Sequence, residues 1–287
     1  MNVGIIGAGA WGSALSVSVA RGGNNVVLWS FDGLYKEFDG VEFPNNIVVS
    51  SDVCALSGCD VWLIVTPGAF FRETVKRFNG VYQNQPVIIC TKGAEYSTGC
   101  FMSEIIKQEL PQCKNIGVLS GPQFAAEVAS GVLTGSTLAG NDVILLAGRV
   151  IFSKLHISES NDVIGAQVCG VGKNIVALIC GYMSVKSKGE NERAYWLTMA
   201  WQDVINVGLA MGADLRTFSD LCGIGDLFLS ATSETSRNYF AGVSLARNQE
   251  ISGTVEGVFA LTGFIRRAQD LCVQTPCLTE MKKIMNI

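Results

Sequence analysis

The sequence predicts an α/β chain in two parts: a doubly wound, mostly parallel sheet over residues 1–160, followed by a mainly helical region over 161–287. Three observations carry this. The chain opens on a short apolar run, Val3, Ile5 and Ile6, that leads into Gly7-Ala8-Gly9-Ala10-Trp11-Gly12 and then into a helical apolar pattern. β-rich runs then alternate with helical patterns up to about residue 160, the order that builds a parallel sheet covered by helices on both faces. Near Asn161 the period changes, and Asp162–Val185 reads as one long apolar helix.

The elements follow in order. Strand, glycine turn and helix (Ala14, Leu15, Val17, Val19, Ala20) form the opening unit of a Rossmann-type dinucleotide-binding domain. Gly7 suits the tight turn, Gly9 a close backbone approach to a pyrophosphate, and Gly12 close packing of helix on strand. The helix N-terminus favours an anion. No Lys or Arg precedes Arg21, so the stretch lacks the basic start of a signal peptide. Further strands are expected at Asn25–Trp29, Ile47–Val49, Val61–Val65, Val87–Cys90, Ile116–Leu119, Gly131–Leu138 and Lys154–Ile157. Thr66, Lys92 and Gly121 follow strand C-terminal ends, where such sheets bind ligands. In the second part, Ala194–Met211 reads as a helix apolar on nearly all sides and therefore buried. Thr217–Leu221 is short, Asp226–Leu229 leads into a polar stretch at Ser233–Asn238, and Thr254–Leu271 is the last long helix.

The composition limits the chemistry. The 287 residues are 48% hydrophobic and 16% charged, enough for large cores and too apolar for disorder. The apolar run around Ile164–Val185 is interrupted by Lys173 and Asn174, so no clean membrane span is expected. A net charge of −4 with no basic tract argues against nucleic-acid partners, and leaves any anionic ligand to locally placed Lys or Arg. The 10 cysteines form no CxxC pair and read as buried hydrophobes in a reducing compartment. His156 is the single histidine, so no His-rich metal site is expected. Its place in a strand-like run suggests a structural residue.

Several residues could carry chemistry. Lys173 lies in the apolar helix GAQVCGVGKNIVAL. From the residues alone it reads equally as a snorkelling lysine or as an acid/base group depressed by burial. Asn174 reads as a surface amide or a ligand contact. Lys92 sits in a TKG turn and reads as a solvated loop residue or a ligand contact. Asp226, after Cys222-Gly223-Ile224-Gly225, reads as a helix cap, a site carboxylate or both. Ser236-Arg237-Asn238 groups a hydroxyl, a guanidinium and an amide, either a surface turn or a phosphate grip. Glu256 suits a helix N-terminus. Trp11 reads as a packing residue.

Taken together, GAGAWGSAL (7–15), TKGAE (91–95), LSGPQFAAEV (119–128), GKNIVAL (172–178), GIGDLFL (223–229), TSRN (235–238) and TVEGV (254–258) resemble the bacterial-type NAD(P)-dependent glycerol-3-phosphate dehydrogenases. The resemblance spans nearly the whole chain. It implies reduction of dihydroxyacetone phosphate to sn-glycerol 3-phosphate with NADH or NADPH, in a cytoplasmic homodimer that supplies a phospholipid precursor. It implies no metal. Carried over by residue, Lys173 is the proton-transferring lysine, with Lys92 and Asp226 completing the catalytic set. Substrate contacts fall to Lys92, Gly121, Gln123, Lys173, Asn174, Asp226, Ser236, Arg237 and Asn238. Cofactor contacts fall to Gly7, Gly9, Ala10, Trp11, Gly12, Ser30, Phe31, Lys92, Ala125, Arg237, Val255 and Glu256. The chain departs from the family at Gln123 (usually Ser or Thr), Cys169 (Gly), Glu192 and Tyr195 (small residues), and Phe31, where many members carry an Arg or His. The C-terminus is short beside many members. The choice between NAD and NADP stays open, as do a related reductase of another keto acid and a dinucleotide sensor without catalysis.

Overall fold

The computed structural model describes residues 1–33, 37–38 (backbone only), 40–251 and 255–287. Thr254, in one of the quoted segments, lies outside the described residues. The chain divides into two compact units. The first comprises Met1–Thr91 and Met102–Val163, the second Lys92–Phe101 and Ile164–Ile287.

The first unit is built on a sheet of eight strands. In chain order its elements are β1 (Asn2–Ile6), α1 (Ala10–Arg21), β2 (Asn25–Trp29), a small antiparallel pair β3 (Glu37–Phe38) and β4 (Val41–Glu42), β5 (Ile47–Ser50), β6 (Val61–Ile64), α2 (Phe71–Phe78), β7 (Val87–Ile89), α3 (Met102–Glu109), β8 (Ile116–Ser120), α4 (Ala125–Ser130), β9 (Gly135–Ala139), α5 (Asp142–Ile151) and β10 (His156–Ser160). The sheet order is β10-β9-β8-β7-β6-β1-β2-β5. From β1 the chain runs outward to β2 and β5, then crosses back to β6 on the other side. That reversal creates the crevice in which doubly wound sheets take ligands. All pairings are parallel except β8 with β9. β6 (VWLI) and β7 (VII) are wholly buried, as strands covered on both faces must be. The edge strand β10 reads HISES, and its polar side chains guard the exposed edge. There His156 is exposed, and Glu159 pairs with Arg149 of α5 at 2.6 Å.

Two expected strands shift. Residues 131–134 are not strand: Gly131 takes φ +84 and closes α4 in a left-handed cap, so β9 begins at Gly135. Residues 153–155 complete the turn after α5, with Leu155 N donating to Phe152 O, so β10 begins at His156.

The second unit is helical: α6 (Val163–Lys186), α7 (Glu190–Ala210), α8 (Asp226–Thr232), α9 (Arg237–Ala246), α10 (Glu256–Asp270) and α11 (Pro276–Met285). α6 is long and apolar enough to cross a membrane by length and composition, since two interruptions do not disqualify it, but 83% of its apolar window is buried inside the protein. α7 corrects an expectation. It buries one flank (Ala200, Trp201, Asp203, Val204, Val207, Gly208), while Tyr195 and Leu209, off that flank, are exposed. The polar stretch before residue 238 ends in a helix, α9, and α11 follows the helix expected to be the last long one. Glycines set the closest crossing: a Cβ at Gly181 on α6 would lie 1.9 Å from Tyr239 O, and one at Gly242 on α9 would lie 2.0 Å from Leu178 O. Only glycine lets these two backbones touch, and the contact fixes the start of α9 beside α6.

Candidate active site

In the first unit the glycine turn has the geometry of an anion-binding loop. Gly7 takes φ +115, a conformation other residues resist, and donates from its N to Trp29 O at 3.1 Å. A Cβ at Gly12 would stand 1.8 Å from Gly7 O, so the third glycine is fixed by packing of turn on helix. At Gly9 a Cβ would meet nothing within 4 Å, so that face of the turn is open. Gly9 caps α1 without a side-chain bond, Ala10 and Trp11 begin the helix, and its first turn carries no acidic residue. The first-turn N–H groups are thereby left to a ligand. An open, acid-free helix start behind a glycine with positive φ fits a dinucleotide pyrophosphate. Trp11 packs on the core of this unit, while its Nε1 is buried without a partner.

After β2, Ser30 donates to Asp32 Oδ1 at 2.6 Å and Phe31 is 77% exposed. After β8, a Cβ at Gly121 would lie 2.7 Å from Ser136 Cα, so packing against β9 is enough to require glycine there. Both amide atoms of Gln123 are buried without partners. Ala125 opens α4.

The second unit gathers the polar cluster. Lys92 Nζ donates to Asp226 Oδ2 at 2.6 Å, and Lys173 Nζ lies 3.0 Å from Asp226 Oδ1. Lys173 Nζ also donates to Ser230 Oγ at 2.7 Å, and Ser230 Oγ lies 3.3 Å from Asp226 Oδ1. The side chains are 18% (Lys92), 12% (Lys173) and 1% (Asp226) exposed, so neither lysine is a solvated one. Lys173 sits mid-helix on α6, next to Gly172, where a Cβ would strike Val204 of α7 at 2.3 Å. Asp226 is the first residue of α8 rather than its cap. It follows a π-helical turn, Leu221–Gly225, in which Gly223 packs on the Phe218 carbonyl, where a Cβ would lie 2.2 Å from the oxygen. Such turns mark functional positions often enough to be informative. Ser230 stands one helical turn after Asp226, on the same face of α8, and sequence reasoning missed it. The i, i+4 spacing from Asp226 was the available signal.

Burial pushes Lys173 down to about 8, Lys92 and Arg237 push the same way, and Asp226 opposes them. For Asp226, burial alone would raise the carboxyl, but the two ammonium groups outweigh it and hold it below the usual carboxylate range. The cluster is a carboxylate shared by two lysines, one of them poised to give or take a proton near neutrality.

A second chain of contacts surrounds Asn174. Asn238 Nδ2 donates to Asn174 Oδ1 at 2.8 Å, and Gly257 N donates to Asn238 Oδ1 at 2.9 Å. A Cβ at Gly257 would lie 2.6 Å from Asn174 O, so α10 starts hard against α6. With its oxygen engaged, Asn174 keeps its NH₂ group for a ligand. Ser236 caps α9, accepting from Tyr239 N at 3.4 Å, and exposed Arg237 is the first helical residue. An arginine at a helix N-terminus is suited to a phosphate. Val255 caps α10 and Glu256 is its first residue. Of the departing residues, Cys169, one turn before Lys173, is fully buried and donates to Thr217 O, the acceptor that Cys222 also uses. Glu192 accepts from Lys188 N at 2.7 Å, and Tyr195 packs on Trp196.

Among the described residues no group of three or more His, Cys, Asp or Glu side chains could hold a metal. Two family models match the chain. Residues 2–145 match the family model described as NAD-dependent glycerol-3-phosphate dehydrogenase N-terminus, and residues 162–287 match its C-terminus. A protein of Dechloromonas aromatica named glycerol-3-phosphate dehydrogenase [NAD(P)+] is 33% identical over 100% of this chain and 93% of its own. The protein of that name from Maricaulis maris is 32% identical over 91% and 83%. The crystal structure of a glycerol-3-phosphate dehydrogenase from Coxiella burnetii superposes with a TM-score of 0.89 at 28% identity, covering 99% of this chain and 94% of that one. By two family models and by full-length relatives, this chain belongs to the NAD-dependent glycerol-3-phosphate dehydrogenase family.

Proposed function

We propose that the chain catalyses the reversible NAD(P)H-dependent reduction of dihydroxyacetone phosphate to sn-glycerol 3-phosphate, with Lys173 as the proton donor. The observation that carries this is the buried Lys173–Asp226–Lys92 cluster with Ser230 on the lysine nitrogen. When bound, the nicotinamide supplies a hydride to the ketone carbon. Negative charge then develops on the carbonyl oxygen, and the Lys173 ammonium gives it the proton that completes the alcohol. The neutral amine is reprotonated from solvent. Lys92 adds positive charge beside the developing alkoxide, and Asp226 keeps both lysines in place. Ser230 accepts one Lys173 N–H and so fixes the direction of the others. Arg237 and the first N–H groups of α9 hold the phosphate, with one charge-assisted bond contributing about 1.5–3 kcal/mol. Asn174, oriented by Asn238, donates to the substrate. Gly121 and Gln123 complete the substrate contacts.

The first unit offers the dinucleotide turn, and the resemblance adds Ser30, Phe31, Lys92, Ala125, Arg237, Val255 and Glu256 as cofactor contacts. The resemblance also supports a cytoplasmic homodimer that feeds phospholipid synthesis. NADH and NADPH oxidation with dihydroxyacetone phosphate, measured side by side, tests the reading. Turnover with at least one cofactor is expected. Cofactor binding without turnover on this ketone would replace it with a different substrate or a sensor.

A further inference from the structure

The turn after β2 lies where doubly wound folds receive the adenosine ribose, and an Arg there accommodates the extra phosphate of NADP. Phe31 occupies that turn and cannot serve. A guanidinium nevertheless stands over it. Arg77, on α2, has its Cζ 5.3 Å from the centre of the Phe31 ring and 5.7 Å from that of Trp29. The two rings meet edge to face at 6.5 Å, and Trp29 also meets Phe78, the residue after Arg77, edge to face at 5.1 Å. Arg77 is exposed and, among the described residues, has no carboxylate within ion-pair distance. The acid of the turn, Asp32, accepts from Ser30.

We propose that Arg77 is the cation that recognises the adenosine 2′-phosphate in this chain, and that it makes NADPH the preferred cofactor. This rests on reading Gly7–Gly12 as a dinucleotide turn. A guanidinium held over aromatic rings by cation–π attraction, with no carboxylate paired to it among the described residues, keeps N–H groups for a phosphate, which a guanidinium can grip in two-point fashion. Arg77 thus does from a helix what a basic residue on the turn itself would otherwise do. Phe31 supports the cation instead of replacing it. The Asp32 carboxylate works against a phosphate, and its bond from Ser30 occupies one of its oxygens.

The test is calorimetric titration of the full-length protein with NADPH and NADH. NADPH should bind the wild type about tenfold more tightly than NADH, and Arg77→Gln should abolish the difference by weakening NADPH alone. Lys76→Gln, which removes the neighbouring exposed charge on α2, should leave the ratio unchanged, and Asp32→Asn should raise it. Equal weakening of both cofactors in Arg77→Gln would overturn the assignment, as would a ratio that this variant does not alter. Failure of the wild type to bind either cofactor would instead overturn the dinucleotide reading of the turn.

Discussion

The two halves of the machinery are made from different materials. The first unit's turn is made of backbone: three glycines and a helix start, within six consecutive residues. The second unit's cluster is made of side chains, and its shortest ion pair joins residues 134 positions apart. A backbone site works by leaving room and presenting N–H groups. A side-chain site works by burying charges that must be compensated, and burial of that kind is what moves a proton affinity toward neutrality.

The comparison predicts that damage to each half has its own signature. The largest effect is expected at the cluster. Lys173→Gln keeps a polar, uncharged side chain and removes the ammonium proton donor, so kcat should fall by about 10²–10⁴ while the nucleotide Kd stays within about twofold. A parallel loss of nucleotide binding would erase the distinction between the halves.

Within the turn, the glycines should separate. Gly12→Ala drives a Cβ into the Gly7 carbonyl, which cannot yield without moving β1. A cost of roughly 3 kcal/mol is expected, seen as a fall in Tm of roughly 6–12 °C. Gly9→Ala meets no protein atom within 4 Å and should leave Tm unchanged. It should weaken NAD(P)H by about tenfold, because the methyl group takes space a ligand needs. A destabilised Gly9→Ala protein would contradict the open face.

The smallest effect is in pH. With Lys173 near 8 in the folded protein against an ordinary 10.5, the unfolded chain binds more protons between these values. This residue's contribution to stability therefore rises with pH through that window, and its full penalty is present below it. Ketone reduction, which needs the ammonium, should decline above about pH 8, and alcohol oxidation, which needs the amine, should decline below it. Persistence of both limbs in residual Lys173→Gln activity would move the titration to another group.

Legibility followed the same divide. Gly7, Gly9 and Gly12 were readable because local chain geometry assigns each its task. α6 was readable because 24 residues of apolar period leave little choice, and Lys173 stood out against that background. Ser230 did not, since one serine on a short helix gains meaning only when the nitrogen of Lys173 arrives beside it. Arg77 was equally silent, because nothing in an amphipathic helix says that its guanidinium will lie over the ring of Phe31. α9 was hidden in a polar stretch whose Ser236 cap is plain only once the helix is seen.

By itself, then, the sequence determined the strand–turn–helix opening, the doubly wound order of the first unit, the helical character of the second and the residue types available for chemistry. Periodicity, glycine conformation and composition are properties of short windows of chain. The tertiary structure decided the rest. It set the antiparallel pairing of β8 with β9, the exposed flank of α7, the touching backbones at Gly181 and Gly242, and the sharing of one carboxylate by Lys92 and Lys173. Each depends on which distant surfaces meet, and the energy of burying a charge or closing a gap is settled only at that meeting.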